Sequence, residues 1–179
     1  MRRFTLSLLA ATALISTANA GSTAITNAHI FTGGKQGEIQ SGTIVITNGR
    51  IAAVGTNVAV PKGADVIDAK GGVVTPGLYA TGTDLGAMEI DQVQSTNDNS
   101  TSSKSLSAAF DISYGIDPAS MTIPVARKGG ITRALVTPNA GNGAGRELLF
   151  SGQGAIITLA DGKSSVVVKP RAAMSLELG

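Results

Sequence analysis

Gly42-Thr43-Ile44-Val45-Ile46-Thr47-Asn48-Gly49-Arg50-Ile51-Ala52-Ala53-Val54-Gly55 decides how the first part of this chain folds. Ile44, Val45 and Ile46 lie in a β-branched run, and such residues fit a pleated, half-buried strand. Asn48-Gly49 is the strongest two-residue hairpin signal, because both positions tolerate the positive φ of a tight turn. Residues 50–54 then read as the return strand, stopped at Gly55. Upstream, Ala24-Ile25-Thr26 and His29-Ile30-Phe31 make a first strand. Downstream, Val58 to Val60, Val66 to Asp68 and Gly72 to Val74 read as further short strands, separated by Pro61-Lys62-Gly63 and Lys70-Gly71. Short strands at this spacing predict a small sandwich or open barrel over residues 21–77.

The pattern changes after residue 90. Residues 91–106 (DQVQSTNDNSTSSKSL) are polar and rich in Ser, Thr and Asn. They read as an exposed loop, either functional or a disordered linker. Asp117-Pro118-Ala119-Ser120 can open a helix that runs to Lys128 and stops at Gly129-Gly130, with Arg127 and Lys128 where cations are favoured. Pro124 inside that span would kink or shorten it. Ile131 to Thr137 is a buried strand ending at Pro138, so the two elements make an α/β unit. Asn139 to Gly145 is a turn, followed by Leu148-Leu149-Phe150. Residues 154–159 and 166–168 form a hairpin around Asp161-Gly162.

Ahead of all this, MRRFTLSLLAATALISTANA (residues 1–20) has the three parts of an export signal. Arg2 and Arg3 are the basic start, residues 4–15 the apolar run, and Ala18-Asn19-Ala20 the small-x-small cleavage site. The run is shorter than the ~20 residues needed to span a bilayer, and no later stretch is apolar enough. With no Cys after the cleavage point for lipid attachment, the expectation is a periplasmic protein cut after Ala20.

Composition narrows the function. Removing Arg2 and Arg3 from the 14 Lys+Arg leaves 12 against 12 Asp+Glu. The mature chain is thus balanced, without the basic footprint of a nucleic-acid binder. No Cys is present, which removes disulfides, thiolate metal sites and a Cys nucleophile. Ser151-Gly152-Gln153-Gly154 lacks the paired glycines of a nucleophile elbow. Asn139 to Gly145 lacks the Gly-Lys-Ser/Thr ending of a phosphate-binding loop. The single His, His29, lies on the first strand and reads as a structural or surface residue. Asp84, Glu89 and Asp91 suggest a carboxylate cluster, against which stands a solvated loop at a strand end.

Three stretches, in this order, resemble the amidohydrolase superfamily, specifically its exported imidazolonepropionase-like members. They are residues 24–55, with the hairpin quoted above; Val66-Ile67-Asp68-Ala69-Lys70-Gly71-Gly72-Val73-Val74-Thr75-Pro76-Gly77-Leu78; and residues 130–138 followed by Gly152-Gln153-Gly154-Ala155-Ile156. The resemblance runs from about residue 23 onward. It implies an α/β protein with a β-rich N-terminal part: a small composite β-sandwich over 21–77, then a TIM-like (β/α) barrel, incomplete over 78–179. A barrel of that kind takes at least about 200 residues, so a C-terminal portion is expected elsewhere, or the product is truncated. It also implies a hydrolase of non-peptide C–N bonds acting on an unidentified small molecule with a divalent metal such as zinc.

In the family, the Pro-Gly-Leu segment leads into two histidines spaced two residues apart, which share a metal on one strand face. Counting from Pro76-Gly77-Leu78, Gly82 and Asp84 occupy those positions. Gly82 offers no ligand, and a lone carboxylate is a poor zinc site. The expectation is therefore no catalytic residue and no bound cofactor in this chain, with Asp84 the sole metal-ligand candidate. The alternatives are a non-catalytic periplasmic binding or structural homologue, and a fragment.

Overall fold

A computed structural model describes residues 21–103, 105–139 and 149–176. The predicted export signal, and residues 140–145 of the predicted turn after Pro138, lie outside them, as does Leu148. The chain divides into two compact units, Met1–Pro76 and Gly77–Gly179.

The first unit is a single mixed sheet. β1 (Thr23–Phe31) pairs antiparallel with β2 (Glu38–Thr47), which pairs antiparallel with β3 (Arg50–Gly55). Asn48 and Gly49 both take positive φ, 53° and 69°, so the hairpin turn has the geometry the dipeptide predicts. β4 (Asp65–Asp68) and β5 (Val73–Val74) lie end to end along the other edge of β1, both parallel to it. Asn27 explains the break between them. Its φ of 51° bulges β1. Its carbonyl accepts from the Gly71 N–H at 2.7 Å, and its side-chain amide donates to Asp68 Oδ1 at 3.0 Å. Ala28, Ile30 and Ile44 are the buried centre.

One expectation changes here. Residues 58–60 form no strand; Val60 is exposed and precedes Pro61, and strand propensity without a pairing neighbour does not hold an extended segment in a sheet. The later short strands join the same sheet as the hairpin rather than stacking a second layer on it. Among the described residues this unit holds one five-stranded mixed sheet.

The second unit holds a four-stranded sheet in sequential order: β6 (Leu78–Thr83), β7 (Ile131–Val136), β8 (Phe150–Thr158) and β9 (Val167–Leu176). β6 and β7 are parallel, with α1 (Thr122–Lys128) between them in sequence. A parallel pair needs such a crossover, because no tight turn can reverse the chain twice. β8 returns antiparallel on the far edge of β7, and β9 antiparallel on β8. The barrel-type parallel connection is thus confined, among the described strands, to β6–α1–β7.

Helix α1 is shorter than the predicted span, and the shortening accommodates Pro124. The first-turn N–H groups of a helix have no intrahelical acceptor. Starting at Thr122 places Pro124 third, where its missing N–H costs little. Ser120 and Pro118 fall in the preceding turn. At the other end Gly129 caps the helix, and the Arg127 guanidinium donates to the Leu159 carbonyl at 2.9 Å. Beneath α1 and the short 3-10 turns, Ile112, Ile123, Ala134, Val136, Ala155, Ile157, Leu159 and Val166 form the core. Full burial of each large aliphatic contributes about 1.5–3 kcal/mol.

Candidate functional site

In sheets with parallel connections, sites gather where strands end at their carboxyl termini. Here that place is the end of β6 and β7. The two strands stay bonded to the last residue: the Thr83 hydroxyl donates to the Leu135 carbonyl at 3.2 Å, and the Thr137 N–H to the Thr83 carbonyl at 3.0 Å. Yet the register slips just before. Ala80 faces Ala134 while Thr83 faces Val136, so three residues of β6 span two of β7. Gly82 takes the extra step with φ +64°, and a β carbon built on it would meet nothing within 4 Å.

This bulge alters the geometry expected of residues 82 and 84. Two residues apart on a regular strand share a face. Here Gly82 itself lies in the left-handed region, at φ 64°, which L side chains enter at a cost. Neither residue identity nor backbone at position 82 suits a metal-binding histidine.

Asp84 is half-buried and held by two amides. The Nδ2 of Asn99 donates to its Oδ1 at 3.2 Å, and the Nδ2 of Asn139 to the same oxygen at 3.3 Å. A carboxylate only accepts, so both amides must turn their NH₂ groups toward it. The Asn139 N–H donates to the Asn99 carbonyl at 2.9 Å, closing a ring of three residues. The Asp84 carbonyl in turn accepts from the N–H groups of Ala87 and Met88, at 2.9 and 3.0 Å. Asn99 is only 6% exposed, and burial of an amide demands such partners.

The segment around Asn99 is cross-braced. The Asp98 N–H donates to the Ala87 carbonyl at 2.8 Å, Thr96 Oγ1 to the carbonyls of Val93 and Ile90, and Asn97 Nδ2 to the carbonyl of Asp91 at 2.8 Å. Over residues 91–99 the polar stretch is a hydrogen-bonded loop tied to the strand end.

The other candidates are placed elsewhere. Glu89 accepts from the Met121 N–H at 3.3 Å, and Asp91 is exposed. His29, on β1, meets Glu38 Oε1 at 2.6 Å and packs on Phe31 with ring centroids 4.7 Å apart. Ser151 is buried on β8. Among the described residues, no group of three or more His, Cys, Asp or Glu side chains could hold a metal ion. A zinc centre takes three protein ligands of this kind or more. At the strand end a glycine and one carboxylate, with an oxygen already engaged by two amides, do not fit such a centre. Asn99 and Asn139 are the residues that the sequence did not single out. The Asn-rich stretch before the helix, and an Asn just past the predicted end of β7, were the available signals.

The fold has a counterpart among solved structures. An amidohydrolase from Thermotoga maritima MSB8 superposes with a TM-score of 0.72 at 22% identity, over 88% of this chain and 39% of that one. The chain thus spans well under half the length of that protein, and at this identity the likeness establishes the fold alone. A Bifidobacterium longum protein, provisionally designated a prolidase, matches at 30% identity over 37% of this chain and 18% of that one, with a TM-score of 0.33; that overlap is too partial to bear on the fold. No protein-family model matches the chain, and no curated protein matches it.

Proposed function

We propose that this chain belongs to an exported amidohydrolase-superfamily protein, related to the imidazolonepropionase-like members, in which the first metal-bearing strand end is remodelled. Its residues supply scaffold at that position rather than a hydrolytic centre. The fold shared with an amidohydrolase over 88% of the chain supports the superfamily reading. So does the order of the three stretches that resemble the family.

The observation that carries the second half of the reading is the state of residues 82 and 84. Gly82 has no donor atom and a left-handed backbone; Asp84 gives Oδ1 to two amides. This favours a non-catalytic binding or structural homologue over a hydrolase active through these residues. C–N bond hydrolysis in the whole protein would need metal ligands contributed from other positions. The periplasmic location rests on residues 1–20. Among the described residues, no helix is long and apolar enough to cross a membrane.

The test is a hydrolase panel on the purified chain, with amides, lactams and dipeptides offered with and without added Zn²⁺. The expected result is no turnover above background in either condition. Zinc-dependent turnover lost in Asp84→Ala would overturn the reading. Cell fractionation and intact mass test export: the product should be periplasmic and begin at Gly21, and a cytoplasmic product retaining residues 1–20 would contradict it.

A further inference from the structure

At the other end of β7 from Asp84, the turn between β8 and β9 lies against α1. The Leu159 N–H donates to the Thr132 carbonyl at 3.0 Å, which places this corner near the start of β7. Arg127, in the last turn of α1, bridges the two elements. Its Nη1 donates to the Leu159 carbonyl at 2.9 Å, and its Nη2 lies 3.4 Å from Asp161 Oδ1. The guanidinium is thereby held in place before any ligand arrives, so little side-chain freedom remains to be lost on binding. It carries five N–H donors, more than these two contacts engage.

Among the described residues, a cleft of about 230 Å³ opens between α1 and this turn. Ile123 and Val166, both buried, and Pro124 give it an apolar lining, and Arg127 and Lys163 add positive charge. Asp161 lines it too, but its side chain is 91% exposed, and its Oδ1 is shared between Arg127 and the Gly162 N–H, the latter at 3.1 Å. Two cations against one carboxylate leave the lining positive. A cavity of about 150 Å³ holds a benzene ring, so this cleft has room for one ring and a carboxylate. Positive charge beside apolar surface suits an organic anion, and the same charge opposes a metal ion or an ammonium group.

We propose that the cleft between α1 and the β8–β9 turn binds a small monocarboxylate with an apolar body, such as an aromatic acid with one ring. Arg127 and Lys163 meet the carboxylate, and Ile123, Pro124 and Val166 meet the apolar part. Of the two cations, Arg127 is half-buried and contributes the larger share, while Lys163 is exposed and contributes less. The site shares no residue with the β6 strand end and requires no hydrolytic activity.

The experiment is a ¹H–¹⁵N titration of the full chain with sodium benzoate. Benzamide, which keeps the ring and loses the charge, and sodium acetate, which keeps the charge and loses the ring, serve as controls. Benzoate should give saturable shifts at the Gly162 and Lys163 N–H groups and at the Arg127 side-chain Nε–H, and both controls should bind more weakly. Arg127→Gln removes a charged donor from a half-buried position and should weaken benzoate binding about tenfold or more. Lys163→Gln removes an exposed charge and should weaken it roughly twofold to fivefold. Arg127 also braces the turn, so its variant is first checked for native dispersion of its spectrum; where that is lost, Lys163→Gln and the two controls decide. Unsaturable shifts, equal affinity for benzamide or for acetate, or a folded variant of either residue that titrates like wild type would each overturn the proposal. Binding in this titration and turnover in the hydrolase panel are separate readouts, so either reading can fail without the other.

Discussion

Asp68 ties ionisation to the turn between β4 and β5. The Lys70 N–H, and secondarily the Asn27 amide, donate to its carboxylate and hold its pKa below the ordinary carboxylate value. The bonds favour the charged form, so the folded state binds its proton less readily than the unfolded chain. A lowered folded pKa contributes stability that is present above the unfolded value, ~3.9, and is lost as pH falls through the folded one. Urea midpoints measured between pH 5 and pH 2.5 should therefore fall for the wild type across and below ~pH 3.9. Asp68→Asn should flatten that part of the profile. Identical acid limbs for the two proteins would show that the turn does not sense this carboxylate. By contrast, the exposed His29–Glu38 contact is of a kind worth about 0–1 kcal/mol, and Glu38→Gln should leave the midpoint nearly unchanged.

At the scale of elements, α1 and the core beneath it separate positions that matter from positions that do not. Pro124 sits in the first turn, so Pro124→Ala should change stability by less than about 1 kcal/mol. Ala126→Pro puts the same ring two residues further on, where it removes a hydrogen bond and clashes with the previous turn, at a cost of about 3 kcal/mol. Ile157 is fully buried in β8, and Ile157→Ala should cost about 2–5 kcal/mol. Ile51 on β3 is 68% exposed, and its replacement by Ala should fall within about 0.5 kcal/mol. Urea denaturation of the four variants checks the ranking; an Ile51 variant as damaging as the Ile157 one would contradict the assigned core.

Across the whole molecule, what could be read from sequence follows the range of the interactions concerned. The Asn48-Gly49 hairpin was legible because the turn is set by two adjacent residues. The Gly129-Gly130 stop and the strand after it were legible for the same reason, although that strand is buried only at Ala134 and Val136. Residues 58–60 read as a strand because their side chains suit one, but a strand also needs a neighbour, and nothing local announces its absence. The ring of Asp84, Asn99 and Asn139 was out of reach. The two asparagines are 15 and 55 residues from Asp84, and an Asn in a polar stretch looks the same whether it faces water or a half-buried carboxylate. The bulge at Gly82 was hidden too, since an alternating pattern assumes the regular strand that a left-handed glycine breaks.

The central proposal is that the strand end which carries paired metal ligands in the resembling family presents, among the described residues of this chain, a hydrogen-bonded carboxylate in place of a metal centre. Elemental analysis of the purified full chain after Zn²⁺ loading and dialysis, with Asp84→Ala alongside, tests it most directly. The account predicts no stoichiometric zinc in either protein. One zinc per chain in the wild type, absent from Asp84→Ala, would contradict it.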